Sequence, residues 1–222
     1  SSSKLYDIYS SIAEYPNPSV LAEDGVDLKL FYPLDLERFD NIESRTLRVG
    51  WAGNSKWAGE VEDFKGYHSL LKPAVEQLQS EGLNIELVLA DRQLGFIPHD
   101  EMVNYYSQID VYVCPSKIEG TPNPVLESMA CGVPVISTDV GVVNDAFGDM
   151  QKEWILPVRS KDVLIDKLRD FYNRRNTVVK CLSSENLQQI KKWDWKVKSE
   201  NFRIFFDKIL ESKKHSKINT EM

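Results

Sequence analysis

Two carboxylates, Glu119 and Glu127, stand eight residues apart on either side of a helix-start signal. Between them the chain reads Gly120-Thr121-Pro122-Asn123-Pro124-Val125-Leu126. Asn is a favoured N-cap and Pro a favoured first helical residue, so a helix is predicted to begin at Pro124. Its unpaired N–H groups and positive dipole end would face whatever the Glu119–Asn123 loop holds, an arrangement that binds phosphate. Gly120 allows close backbone approach, and Thr121 brings a hydroxyl. Pro122 and Pro124 stiffen the loop without donating. An anion site with two carboxylates beside it suits a ligand that carries both phosphate and hydroxyl groups. A sugar nucleotide is such a ligand. Taken singly, each Glu also has an ordinary role, one complementing a helix dipole and the other solvated in a loop.

The elements that must position these residues alternate by type. Leu47–Ala52, Ile85–Ala90, Asp110–Cys114, Val133–Ser137 and Trp154–Pro157 read as strands, and Gly66–Glu81, His99–Ser107 and Pro124–Cys131 as helices. Strand-length apolar runs such as Leu87-Val88-Leu89-Ala90, alternating with helices, imply a parallel sheet covered on both faces. The predicted fold is therefore α/β, a doubly wound, Rossmann-like parallel sheet, and ligands in such sheets bind at the carboxyl ends of the strands. After residue 160 helices follow one another: Ser160–Arg175 with a capping Ser, then Thr177–Lys191, then Asp194–Leu210. At the beginning, Leu5, Ile8, Tyr9 and Ile12 have helical spacing over residues 4–15, Pro16 and Pro18 end that helix, and Ser19–Ala22 reads as a short strand.

The 222 residues suffice for one large domain, and 42% hydrophobic with 27% charged residues is ordinary for a globular protein. A net charge of −7 argues against a general nucleic-acid binder, whose affinity rests on Lys and Arg meeting phosphates. Cys114, Cys131 and Cys181 are widely spaced without a Cys-x-x-Cys pair, which fits reduced thiols better than a disulfide framework or a zinc site. No stretch approaches the roughly eighteen apolar residues that span a bilayer. The chain reads as soluble and cytoplasmic, with membrane contact at most peripheral. His68, His99 and His215 read as surface or core residues rather than as a base or metal ligands.

The segment from Ile118 to Ile136, with Gly-Thr-Pro-Asn-Pro, Met-Ala-Cys-Gly and Pro-Val-Ile between and after the two Glu residues, resembles the Glu-x7-Glu region of the family 4 retaining glycosyltransferases, glycosyl transferases group 1. These have the two-domain GT-B architecture. The resemblance implies that Glu127 bonds the nucleotide ribose, that Glu119 lies by the donor sugar, and that the backbone of residues 120–125 touches sugar and diphosphate. It implies that Lys65, just before a helix, contacts the diphosphate as a catalytic cation, and that no metal or other cofactor is used; the chain has no Asp-x-Asp motif. In that family an Arg accompanies the Lys on a Gly-Arg turn. Here the turn is Gly53-Asn54-Ser55-Lys56, so either Lys56 supplies the second charge or the site has one. The base would meet the loop at Phe96 and Ile97, mostly through backbone atoms.

The same resemblance covers the edges of the domain. Asp24-Gly25-Val26-Asp27 matches the interdomain link, and Trp193-Asp194-Trp195 matches the start of the closing helix that crosses back. Residues 1–24 are then the remnant of an N-terminal acceptor domain and the start of the linker, and residues 25–222 the nucleotide-sugar-binding domain with its C-terminal helices. The function expected is transfer of a sugar from a UDP- or GDP-linked donor to a hydroxyl of a glycan or lipid-linked acceptor, with the missing acceptor domain required for turnover. Two alternatives stay open: a non-catalytic sugar-nucleotide-binding module that acts with a partner chain, and a GT-B epimerase or phosphorylase. A dinucleotide-dependent oxidoreductase fits poorly, because Gly50-Trp51-Ala52-Gly53-Asn54 replaces Gly-x-Gly-x-x-Gly after the first strand.

Overall fold

A computed structural model describes residues 2–15, 21–57 and 61–218, with side chains of the last helix as far as residue 210. Five parallel strands form one sheet in the order β2-β1-β3-β4-β5. They are β1 (Leu47–Gly53), β2 (Ile85–Asp91), β3 (Val111–Cys114), β4 (Val135–Thr138) and β5 (Ile155–Leu156). Period-two alternation sends neighbouring residues to opposite faces. Val49, Trp51, Val111, Val113 and Ile136 join the core layer of Leu71, Trp154 and Phe171. Tyr112, Cys114 and Val135 join the other, with Tyr106, Leu126 and Met129. A sheet buried on both faces needs apolar residues at successive positions, and all four residues of β3 and of β4 are buried. The doubly wound α/β fold expected from the alternating pattern is the one present.

The helices are α1 (Ser3–Ser10), α2 (Lys72–Ser80), α3 (Met102–Tyr106), α4 (Asn123–Ala130), α5 (Val143–Ala146), α6 (Asp149–Lys152), α7 (Lys161–Gln189) and α8 (Trp195–Ile218). Helix α2 is preceded by a π-turn at Tyr67–Leu71, and α3 by a 3₁₀ turn at His99–Glu101. Ser160 caps α7 as expected, its side chain accepting from the Val163 amide at 3.2 Å. The two helices predicted across residues 160–191 are instead one, α7. Arg175 lies at the expected break, but its guanidinium is buried, donating to the Ile42 and Glu43 carbonyls, and Val179 and Leu182 continue the buried stripe. Helix α1 ends at Ser10, short of Pro16. Pro16, Pro18 and the first two residues of the strand expected at Ser19–Ala22 lie outside the described residues, and Leu21 and Ala22 belong to no regular element.

Val26 pairs in parallel with Asp194. Its amide donates to the Trp193 carbonyl at 2.8 Å, and its carbonyl accepts from Trp195 at 3.1 Å. The segments around Val26 and Asp194 are thus stitched side by side. Helix α1 rests on the segment that follows β4: Ser3 Oγ donates to Asp145 of α5 at 2.6 Å, and Lys4 Nζ to the Asp139 carbonyl at 2.6 Å. None of its residues is buried.

Candidate functional site

In a sheet ordered 2-1-3-4-5 the connections run to opposite sides from β1 and β3, and a crevice opens beyond their carboxyl ends. Two cavities lie there. One, of about 210 Å³, is lined by Trp51 and Ala52 of β1, Tyr112 and Cys114 of β3, and Lys65, Ser116, Glu119, Thr121, Pro122, Asn123 and Pro124. The other, of about 280 Å³, is lined by Ala52, Gly53, Ala90, Arg92, Gly95, Phe96, Ile97, His99, Met102, Pro124 and Glu127. Ala52 and Pro124 belong to both, so the two form one crevice with a shared wall. A larger hollow of about 400 Å³ between Leu36–Asp40 and Lys180–Leu187 lies away from the strand ends and contains none of these groups.

Lys65 is carried by a loop that several contacts fix. Asp63 accepts from the Gly66 amide at 2.9 Å with one oxygen and from the Ser69 amide at 2.7 Å with the other. This caps the start of the following helix. Arg159 bridges the Asp63 and Pro115 carbonyls at 2.8 and 2.9 Å, and the Lys117 amide donates to Phe64 at 2.8 Å. Gly66 has φ of +69°, and a Cβ there would collide with the Pro115 carbonyl oxygen, so only glycine lets this loop lie against the end of β3. The result places Lys65 Nζ 2.6 Å from Glu119 Oε1, with side chains 29% and 15% exposed. The ammonium also lies 5.7 Å from the centre of the Trp57 ring.

The Glu119–Pro122 loop is held from below. Thr138 Oγ1 donates to the Ser116 carbonyl at 2.6 Å, and Gly141, at φ +54°, approaches Gly120 so closely that a Cβ would strike its carbonyl. Helix α4 starts one residue earlier than predicted. Pro122, not Asn123, takes the N-cap position, and no side chain caps the helix. The Asn123 amide donates to Thr121 at 2.9 Å and that of Val125 to Pro122 at 2.8 Å, so these two amides are already engaged. Val125 is fully buried in the core.

Glu127, in the second turn of α4, is buried with a 10% exposed side chain. Its Oε2 accepts from the Tyr106 hydroxyl at 2.7 Å, and its Oε1 stands 3.1 Å from His99 Nε2. Burial, and then the neighbouring Glu127 charge, push the Tyr106 phenol well above its usual pKa, so it stays a donor. At the end of β2, burial acts to raise the Asp91 carboxyl, but hydrogen bonds from Ser55 and Gln93 outweigh it and hold it below the usual range. Among the described residues, no group of three or more His, Cys, Asp or Glu side chains could hold a metal ion.

The crevice therefore brings together Lys65, Glu119, Thr121, Pro122, Asn123 and Pro124 in one part, and Gly53, Phe96, Ile97 and Glu127 in the other. Asn54, Lys56, Gly120 and Val125 line neither part. Asn54 instead accepts from the Lys56 amide at 3.1 Å and from Gln93 at 2.8 Å, which shapes the turn and leaves the exposed Lys56 outside the crevice. Three residues that the sequence reading did not assign to the site do line or support it: Arg92, Tyr106 and His99, the last read there as a surface or core residue. Arg92 immediately follows a strand end, a position at which a cation is informative. His99 and Tyr106 carry no such signal, because their partner Glu127 is 28 and 21 positions away.

A parallel sheet with a crevice of paired carboxylates and a cation at its switch point defines a ligand-binding α/β domain. The family model of glycosyl transferases group 1 matches residues 57–185, more than half of the chain, and the chain belongs to that family. It is 38% identical over 125 residues to the O-antigen chain mannosyltransferase B of Escherichia coli, covering 46% of this chain and 32% of that protein. The C-terminal domain of a glycosyl transferase group 1 family protein from Francisella tularensis superposes with a TM-score of 0.59 at 20% identity, over 76% of this chain and 97% of that domain. Sucrose-phosphate synthase from Thermosynechococcus elongatus superposes with a TM-score of 0.66 at 18% identity, over 95% of this chain and 58% of that one. The chain thus spans about a third or less of the first curated relatives it matches and somewhat over half of a full-length structural neighbour. No described helix is long and apolar enough to cross a membrane.

Proposed function

We propose that this chain is the donor-binding part of a retaining glycosyltransferase that takes a sugar from a UDP- or GDP-linked donor and passes it to a hydroxyl of a glycan or lipid-linked acceptor. The observation that carries the reading is the shared wall. Lys65 and Glu127 open into adjoining parts of one crevice, with Ala52 and Pro124 common to both. A nucleoside diphosphate sugar has the matching order of groups. Its diphosphate would lie by Lys65 and the start of α4, its ribose by Glu127, and its base against Phe96 and Ile97. Glu119 would then stand beside the donor sugar.

As the bond from the sugar to the diphosphate breaks, negative charge grows on the departing phosphate oxygens. The Lys65 ammonium, held at the crevice by its loop, would stabilise that charge once the diphosphate has displaced Glu119 from it. The acceptor hydroxyl attacks on the face that the diphosphate leaves and passes its proton to the departing phosphate oxygen, so no protein nucleophile is assigned. The acceptor would be held by groups outside this crevice, and this chain alone is expected to bind donor without turning it over. The name of the Escherichia coli relative supports a glycan acceptor.

A thermal-shift series with UDP-, GDP- and ADP-sugars tests the reading. A ligand at a hundred times its Kd stabilises the native state by about 2.7 kcal/mol, which for a domain of this size raises the melting temperature by roughly 5–10 °C. One of the three is expected to do so. No shift with any of them at millimolar concentration refutes the proposal.

A further inference from the structure

The carboxylate of Glu127 is held from two sides by groups that the family assignment does not name. An ionised carboxylate only accepts hydrogen bonds and has about four lone-pair positions for them. With Glu127 ionised, the 3.1 Å contact requires His99 to present Nε2–H, just as Tyr106 presents its hydroxyl at 2.7 Å. His99 is itself oriented by the buried Phe31, whose ring meets it edge-on at 5.1 Å and meets Tyr106 at 6.0 Å. It lines the same part of the crevice as Glu127, with its side chain 68% exposed.

We propose that His99 is a positioning residue for the ribose: its Nε2–H fixes the rotation of the Glu127 carboxylate, with Tyr106 fixing the other oxygen, so that the remaining lone pairs meet the two ribose hydroxyls. The inference rests on the donor reading above and adds to it a discrimination, for ribonucleoside over dideoxyribonucleoside diphosphates. A carboxylate free to rotate accepts from whatever donor arrives. One held at both oxygens accepts well only from a ligand that presents two hydroxyls at the right separation.

The test is calorimetric titration of the wild-type chain, His99→Ala and His99→Gln with UDP and GDP and with their 2′,3′-dideoxy counterparts. The surface position of His99 keeps the variants folded, which their melting curves check. The wild type is expected to prefer the ribonucleotide at least tenfold. His99→Ala should lose about three- to tenfold in affinity for it while binding the dideoxy form within about twofold of wild type, and His99→Gln, which keeps an N–H donor, should recover part of the loss. An equal loss on both nucleotides would make His99 a packing residue, and no loss at all would make it a bystander; either overturns the inference. A wild type that binds neither form sinks the donor reading itself, whereas one that binds both forms equally refutes the ribose contact alone.

Discussion

Replacing Glu119 by Gln is expected to tighten the binding of a free nucleoside diphosphate. In the crevice the carboxylate and Lys65 are locked together at 2.6 Å, and both side chains are mostly shielded from water. Unit charges 4 Å apart attract by about 4 kcal/mol at an effective dielectric of 20, and desolvation and lost side-chain freedom cancel much of that. Fully exposed pairs retain only about 0–1 kcal/mol. For this half-shielded pair a net value of about 1–2 kcal/mol is reasonable, and a diphosphate arriving at Lys65 must overcome it and the repulsion of Glu119 as well. The amide keeps an oxygen that can accept from Lys65, so the ammonium is not stranded, but it no longer competes as an anion. Both effects have the same sign, and the ion-pair term alone corresponds to about a five- to thirtyfold gain in affinity. The assay is calorimetric titration with UDP and GDP at about 0.05 and 0.5 M salt, with Lys65→Ala as the opposite control. The gain should shrink at the higher salt, because screening weakens both terms. Affinity that is unchanged or weaker in a well-folded Glu119→Gln chain would show that the pair does not gate the diphosphate site.

Gly141→Ala should destabilise the fold by about 1–3 kcal/mol and weaken nucleotide binding, because its positive φ and its closeness to the Gly120 carbonyl force the Glu119–Pro122 loop to move; native urea midpoint and affinity together would refute this. Burial raises the Cys114 thiol, and burial with the Glu127 charge pushes Cys131 up to about 12, while the buried Tyr105, Tyr106 and Tyr112 phenols are raised as well. Groups whose folded-state pKa lies above the unfolded value contribute stability that is complete below the unfolded pKa, near 8.5 for Cys, and is lost as pH rises towards the folded value. Urea midpoints should therefore be insensitive to these groups near neutrality and fall from about pH 8.5 upward. At neutral pH a thiol reagent should find one fast cysteine per chain, the exposed Cys181.

Local chemistry made most of the scaffold legible. The period-two strands, the capping Ser160 and the Asn-Pro start of α4 are encoded by neighbours within a few residues, and each was placed to within one or two positions. The misplaced features depend on distant partners. Arg175 continues α7 because the carbonyls of Ile42 and Glu43, more than 130 positions away, receive its guanidinium. Lys56 falls outside the crevice because Gln93 and Asp91, on another strand end, claim the turn that carries it. His99 looked like a helix-start residue, and only the sheet brings it to Glu127. Lys65 and Glu119 are 54 positions apart; likeness to a family put both in one site, but nothing in the sequence foretold their ion pair.

A chain with a net charge of −7 can offer a site to an anion only if its nearby carboxylates are answered locally. Each one at the crevice is. Glu119 has Lys65, Glu127 has Tyr106 and His99, and Asp91 has the Ser55 and Gln93 amides. The three differ in how firmly they are answered. Asp91 is satisfied by backbone groups that cannot leave, and Glu127 by a buried phenol that does not ionise in the ordinary range. Glu119 alone depends on a side chain that an incoming phosphate would also attract. On the proposed reading, an incoming diphosphate would act first on the Lys65–Glu119 pair and would leave Glu119 with an unshared charge facing the sugar. That carboxylate would then be free to accept a sugar hydroxyl, so that filling the phosphate subsite would prepare the neighbouring sugar subsite.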